Sequence, residues 1–239
     1  MMKRPIVILA LAASAVLVSS CKFFGVNDEA ALNFAWGEAV DASEQIETRT
    51  LPVAPFDAVD FGMVACKVEY LPGDNSLEVK THENLFRLLN FEVDDTGVLK
   101  LTQDNYNVRN LDTMVIRVHA PSLRSVNIGG AAQFSAMEGI EAETFKLNLG
   151  GAGNVEIKGL DAASVDVNLS GAAKIRLDGL DSQELSITIN GAGDRVISGR
   201  TDHADARIRG AGKIDLKGLE VDELTTSVSG AGRILEPER

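Results

Sequence analysis

The chain has 239 residues, 45% of them hydrophobic, with 23 Lys+Arg against 35 Asp+Glu and a formal net charge of −12. That length suits one large or two small domains. The negative balance argues against nucleic acid as a partner, because phosphate backbones recruit basic surfaces.

The N-terminus reads as a targeting segment. Lys3 and Arg4 form a short basic region, and residues 6–18 are an apolar run too short to span a bilayer comfortably. Small residues then precede a cysteine in Leu17-Val18-Ser19-Ser20-Cys21, as in the bacterial lipoprotein cleavage motif. Residues 1–20 are therefore read as a lipoprotein signal peptide and Cys21 as the lipid-attachment site, carrying acyl chains such as palmitate. An ordinary secretory signal with a chance cysteine is the alternative. Several acyl chains on one residue give stable membrane anchoring. No other segment is long or apolar enough to cross a membrane. Cleavage leaves 21 Lys+Arg against 35 Asp+Glu, a net charge of −14. It also leaves Cys66 without a disulfide partner, so stability must come from the core. Cys66 alternates with Val68 and Tyr70 and reads as a buried apolar residue, not a catalytic thiol.

Residues 21–48 read as a spacer. Asn27-Asp28 would cap a short helix over 28–32, which Gly37 interrupts. The folded domain is expected over 49–239, with a less regular part at 49–121. There Val59, Phe61 and Met63 alternate, then Cys66, Val68 and Tyr70, before the turn Pro72-Gly73-Asp74-Asn75. Leu77 and Val79 give another strand, and residues 84–89 look like about one helical turn. Phe91 and Val93 lead into the turn Asp94-Asp95-Thr96-Gly97, and Leu99 and Leu101 alternate after it. Met114, Ile116 and Val118 form the strand before Ala120-Pro121.

From residue 122 on, six Gly-Ala pairs recur, at Gly130, Gly151, Gly171, Gly191, Gly210 and Gly230, with intervals of 21, 20, 20, 19 and 20 residues. A fixed period near twenty signals a repeat architecture. Two residues before each glycine stand Ile128, Leu149, Leu169, Ile189, Ile208 and Val228, and four before stand Val126, Leu147, Val167, Ile187, Ala206 and Thr226. Polar residues lie between, so each repeat begins with a strand buried on one face. A second, shorter strand follows the Gly-Ala corner, and Gly139, Gly159, Gly179, Gly199 and Gly218 mark a second corner. One repeat cannot bury its own apolar stripe, whereas stacked copies can. The expected architecture is an all-β solenoid of parallel strands with rungs of about 20 residues. A flat antiparallel meander of the same period is the alternative.

This pattern resembles the putative auto-transporter adhesin, head GIN domain family of bacterial envelope proteins. The resemblance is carried by Arg49 with Leu51, Phe56-Asp57-Ala58-Val59, Glu83-Asn84-Leu85, Gly97-Val98-Leu99, Ala120-Pro121-Ser122-Leu123 and the serial Gly-Ala-Gly corners. It implies a right-handed parallel β-helix, a lipoprotein signal and a role in adhesion. It carries over no catalytic residue.

The corners do not read as ligand loops. A calcium-binding nonapeptide roll needs an Asp where Val155 stands and a period of nine. A phosphate loop needs a Gly-Lys-Ser/Thr that does not follow. Three residues after each corner glycine runs the column Gln133, Asn154, Lys174, Asp194, Lys213 and Arg233, expected to be a solvated ion-pair ladder. Asn127, Asn148 and Asn168 form a second column whose amides are expected to bond along it. The rung at 191–209 departs from the pattern, with Arg195 and Arg200 at positions that are Phe, Val, Ile or Leu elsewhere. Asp194, Arg195, Arg200 and His203 are therefore the candidate binding residues, with local fraying or a bulge as the simpler account. The arginines must reach solvent, an acid or another subunit. His82, His119 and His203 are scattered, so neither a metal nor another cofactor is expected.

The function expected from all this is a lipid-anchored binding or adhesion module of the cell envelope, without catalysis. It would be held in the membrane, by expectation the outer membrane, and would face the periplasm or the surface. A periplasmic assembly scaffold is the second reading, and a carbohydrate-active enzyme the third. Expected partners are the membrane, through the lipid, a protein or glycan, and a second copy in a homo-oligomer.

Overall fold

The computed structural model describes residues 38–62, 64–104 and 106–237. The signal segment 1–20, Cys21, the Asn27-Asp28 cap and Met63 lie outside them.

The first half of the described chain holds strands β1 (Glu38–Asp41), β2 (Ile46–Leu51), β3 (Ala58–Phe61), β4 (Val64–Pro72) and β5 (Ser76–His82). Strands thus begin inside the stretch read as spacer. A 3-10 helix, Glu83–Leu88, buries Leu85 and Leu88. Then come β6 (Leu89–Val93), β7 (Val98–Gln103), β8 (Tyr106–Arg109) and β9 (Met114–Ala120). β9 alternates buried and half-buried residues without a break, the pattern of a strand with one face on the core. The Gly-Ala repeats supply β10 (Ser125–Ile128), β11 (Ala131–Ala136), β12 (Ile140–Leu149), β13 (Ala152–Leu169), β14 (Ala172–Ile189), β15 (Ala192–Gly230) and β16 (Arg233–Leu235).

Fourteen of these strands join one sheet, and β1 pairs with β8 in a second. The sheet is mixed in direction. β2–β5, β5–β9 and β6–β7 are antiparallel. The expectation of a right-handed parallel β-helix is therefore corrected: the chain is all-β, but its main sheet is a curled half-barrel of mixed parallel and antiparallel strands. The reason lies in the part that does not repeat. The turn Asp94-Asp95-Thr96-Gly97 is too short for a crossover, so β7 folds back on β6. Gly97 takes φ 76 there, a region open to glycine at little cost. Farther along, β9 lies between β4 and β5, so the turn after Pro72 does not close a simple hairpin.

The hairpin turn is knotted by one carboxylate. Asp94 Oδ1 accepts from the Thr96 hydroxyl at 2.6 Å, the Thr96 N–H at 2.9 Å and the Val98 N–H at 3.1 Å. The Thr96 hydroxyl, the Val98 N–H and Lys100 hold this carboxyl well below the usual carboxylate range. Its folded pKa is lower than its unfolded one, so the stabilisation is complete above about pH 4 and is lost as pH falls through the folded value. The thermal stability advantage of the native chain over Asp94→Asn is expected to shrink steadily on acidification. An advantage that stays constant across melts from about pH 6 to pH 2 would mean that the charge contributes nothing.

In the repeats the twenty-residue beat is the pairing register. Ala131, Ala152, Ala172 and Ala192 are successive parallel partners, as are Val126, Leu147, Val167, Ile187 and Ala206. All members of the second column are buried within one core that also takes in Phe61 and Phe134, whose ring centroids are 6.3 Å apart. The asparagine column forms as a ladder: Asn148 donates to Asn127 at 2.6 Å, and Asn168 donates to Asn148 at 3.3 Å.

The short 19-residue interval after Gly191 has a structural consequence. Pairing slips between Leu177 and Leu180, so Gly199 lies opposite Leu180 and Arg200 opposite Asp181. Arg200 leaves the apolar column and is exposed. Thr201 turns inward instead, accepting from the Ser182 hydroxyl at 2.9 Å and donating to the His203 carbonyl.

Candidate functional site: a groove along the Gly-Ala corners

The corners need small residues, and small residues leave a trough. Parallel registers place Lys67 beside Gln133, Gln133 beside Asn154 and Asn154 beside Lys174. Neighbouring strands are ~4.8 Å apart, so this line reads ammonium, amide, amide, ammonium. It rims a groove of about 730 Å³. The rest of its lining is apolar or small at Cys66, Met114, Ala132, Ala152, Gly153 and Ala172, here called the floor, and is completed by a wall at residues 111–113. His82 lies next to that wall: its buried Nε2 is 2.7 Å from Asp112 Oδ1 but not in hydrogen-bond geometry, and its Nδ1 meets the Ser43 carbonyl.

Beside the groove, Lys67 pairs with Glu69 at 2.6 Å, and Arg117 joins Glu69 to Glu78. Lys67 first, and Arg117 with it, hold the Glu69 carboxyl below its ordinary value, while the two acids raise the Arg117 guanidinium. Burial pushes the Cys66 thiol up to about 11. It is therefore a poor nucleophile at neutral pH, and its role is to floor the groove. No group of three or more His, Cys, Asp or Glu among the described residues is placed to hold a metal ion. A trough with an apolar floor and an amide-ammonium rim can offer hydrogen bonds to hydroxyls, carboxylates or peptide groups along its length.

The family model for the putative auto-transporter adhesin, head GIN domain, matches residues 65–180 and 167–235. The chain belongs to this family. Both the floor and the rim of the groove fall inside the matched span. Among solved structures the fold is similar to a putative adhesin from Bacteroides fragilis NCTC 9343, at TM-score 0.70 and 22% identity over 82% of this chain and 99% of that one. It is also similar to a putative adhesin from Parabacteroides distasonis ATCC 8503, at TM-score 0.74 and 23% identity over 82% and 84% of the two chains. A putative lipid binding protein from the same organism aligns at TM-score 0.63 and 19% identity, over 84% and 100%. At these identities the likeness is one of fold. No curated protein matches the chain.

Within this family fold, the four residues singled out from the sequence do not converge. Asp194 is exposed and continues the rim column past Lys174, bordering a second depression with Gln133 and Asn154. Arg195 points the other way and is fully buried. Arg200 lines a separate polar hollow with Asp161, Asp181, Ser182, Gln183 and Asp202. His203 stands apart again, 3.3 Å from Glu223. The expected ion-pair ladder is also absent at Asp194, which makes no ion pair among the described residues. Several pairs run two residues along a strand instead, as in Arg176–Asp178 at 3.5 Å and Lys213–Asp215 at 3.0 Å. Residues two apart share a face, and that geometry keeps partners within reach without bridging strands. The Lys213 side of one such pair holds the Asp215 carboxyl below its ordinary value.

Arg195 corrects a further expectation. It reaches neither solvent nor an acid. Its guanidinium donates to the backbone carbonyls of Gly193 and Ala192, the latter at 3.1 Å. Its Nε has no hydrogen-bond partner among the described residues. Lys67, Leu111 and Met114 were not legible as site residues, because they lie outside the repeat and only the pairing of β4 with β9 and β11 brings them to the corners.

Proposed function

We propose that the protein is a lipid-anchored binding module of the bacterial cell envelope, adhesin-like and without catalysis, tethered through Cys21. Its contact surface in this reading is the corner groove. The observation that carries the reading is the family match across residues 65–235, which takes in the groove's floor and both of its rim lysines. The apolar run, small residues and cysteine at positions 6–21 support the anchor. The expected ligand class is a hydroxyl-rich or carboxylate-bearing polymer at the cell surface, laid along the Lys67-Gln133-Asn154-Lys174 line.

Two measurements test this. Protease added to intact cells is expected to degrade the domain, and Cys21→Ala is expected to move the protein out of the membrane fraction. A protected domain would rule out external adhesion and favour a periplasmic scaffold. On an array of glycans and peptides, binding is expected to fall at least about tenfold in the Asn154→Ala, Lys174→Ala double variant. Unchanged binding by that variant would remove the groove from the proposal.

A further inference from the structure

We infer that the last strand of the repeat array, the 219–230 part of β15, is an interface on which a second copy of this chain docks edge to edge in antiparallel register. The inference is independent of what the groove binds.

The first observation is exposure. In the column two before each corner glycine, Ile128, Leu149, Leu169, Ile189 and Ile208 are each 1% exposed, whereas Val228 is 47% exposed. Leu224 and Thr226 stand above the buried Ala204 and Ala206, but Leu224 is only half-buried and Thr226 is exposed. Gly230 stacks on Gly210, so the strand is held in the same register as the repeats below it. Only the covering layer is missing among the described residues.

The second observation is charge. Open sheet edges in native proteins are commonly guarded by charged side chains, prolines or bulges. Three of the four matching strands just before it in the array carry charges on their outward face, at Lys146, Asp166, Asp205 and Arg207, while the fourth, with Ser186 and Thr188 there, is covered on both edges. The outer strands β2 and β6 carry Glu47, Arg49 and Glu92. From Leu224 to Gly232 the last strand and its corner have no charged residue and no proline. Exposed acids, Glu220, Asp222 and Glu223, stand only in its first part, so from Leu224 on this edge lacks the devices that keep other edges from pairing.

The third observation selects the occupant. A two-fold axis through Thr226 sets Leu224 of one copy opposite Val228 of the other, Thr226 opposite Thr226, and Thr225 opposite Ser227. Directly opposite residues share a face in an antiparallel pair. The inward apolar residues therefore meet each other, and the outward hydroxyls meet each other. In the same register Glu223 faces Ser229 and Asp222 faces Gly230, so no like charges oppose. Such an isologous contact closes at two copies. Among the described residues, the side-chain bond it displaces is that from the Thr226 hydroxyl to Glu236, at 3.3 Å.

The test is covalent capture in the full chain. Opposed residues of an antiparallel pair have Cα atoms about 4.5–5.5 Å apart, within disulfide reach. Under mild oxidation Thr226→Cys is expected to yield a covalent dimer, whereas Thr225→Cys, which faces Ser227, is not. Sedimentation of the detergent-solubilised native chain is expected to show a concentration-dependent dimer at roughly micromolar Kd, as befits a small interface. Val228→Lys is expected to weaken it at least tenfold while leaving the melting temperature of the monomer unchanged. A native chain that stays monomeric at high concentration, with no Thr226→Cys dimer, would overturn the inference. Equal capture at positions 225 and 226, or ladders of higher oligomers joined through Ile46 of β2, would overturn it too, in favour of non-specific or head-to-tail contact.

Discussion

Gly171→Ala is expected to abolish cooperative folding or to lower stability by more than about 4 kcal/mol, in the range reserved for severe steric or core lesions. A Cβ on Gly171 would sit 1.8 Å from the Gly151 carbonyl oxygen and 2.8 Å from its carbon. Both are backbone atoms, so no rotamer change relieves the overlap. The stacked strands on either side also hold the corner in place, through the bonds from Ala172 N–H to Gly151 and from Ala192 N–H to Gly171. Separating two corners separates both strands that flank them. Gly151 and Gly191 stand in the same relation to the corners beneath them, at 1.9 Å and 2.0 Å. The control is Gly150→Ala, one residue from a corner, where the nearest atom is the Ser170 hydroxyl oxygen at 3.8 Å. That is ordinary contact, and its effect is expected to stay within about 1 kcal/mol. Urea unfolding of the two variants side by side separates close corner stacking from a general intolerance of alanine in this glycine-rich stretch. Equal midpoints would show that the corners can move apart.

That contrast also marks how far the sequence could be read. The Gly-Ala beat is legible because the corners touch backbone to backbone, and contact of that kind constrains residue type at every repeat. Buried columns follow from the same count, since apolar residues two and four before each glycine have nowhere else to go. The mixed direction of the sheet was not legible. It depends on where β5, β6 and β9 insert, and those strands alternate just as parallel ones do. The Asp94-Gly97 turn was visible as a turn, yet nothing in it states which strand its partner joins next. Counting from glycines also misplaced Arg200, because a bulge absorbs one residue between Leu177 and Leu180. Period two makes such a slip costly to interpretation: one residue moves a side chain from the core to solvent. The groove was half legible. Gln133, Asn154 and Lys174 were aligned by the repeat, whereas Lys67, Met114 and the 111–113 wall come from segments with no repeat to betray them.

Arg195→Ile is expected to stabilise the protein by about 1–4 kcal/mol, the range seen when buried ionic groups give way to well-packed apolar ones. Arg195 lies opposite Ile175 in the parallel register, in the column that holds Val155, Ile175 and Ile214. It is fully buried, and desolvation pulls its guanidinium down to about 10 despite the opposing charge of Asp194. A cation whose folded pKa is depressed is disfavoured in the folded chain at every pH below that value. Isoleucine would match its neighbours and remove an Nε that has no partner among the described residues. The guanidinium does fill space: a Cβ on Gly212 would lie 2.7 Å from Arg195 Nη1. Gly212→Ala is therefore expected to destabilise the native chain and to be partly relieved in the Arg195→Ile background, a coupling readable by a double-mutant cycle. Arg195→Ala, which leaves a hole, should destabilise by about 2–5 kcal/mol, as large-to-small core substitutions do. If Arg195→Ile instead destabilises as much as Arg195→Ala, the two carbonyl bonds at Ala192 and Gly193 outweigh desolvation, and the arginine is a brace for its corner.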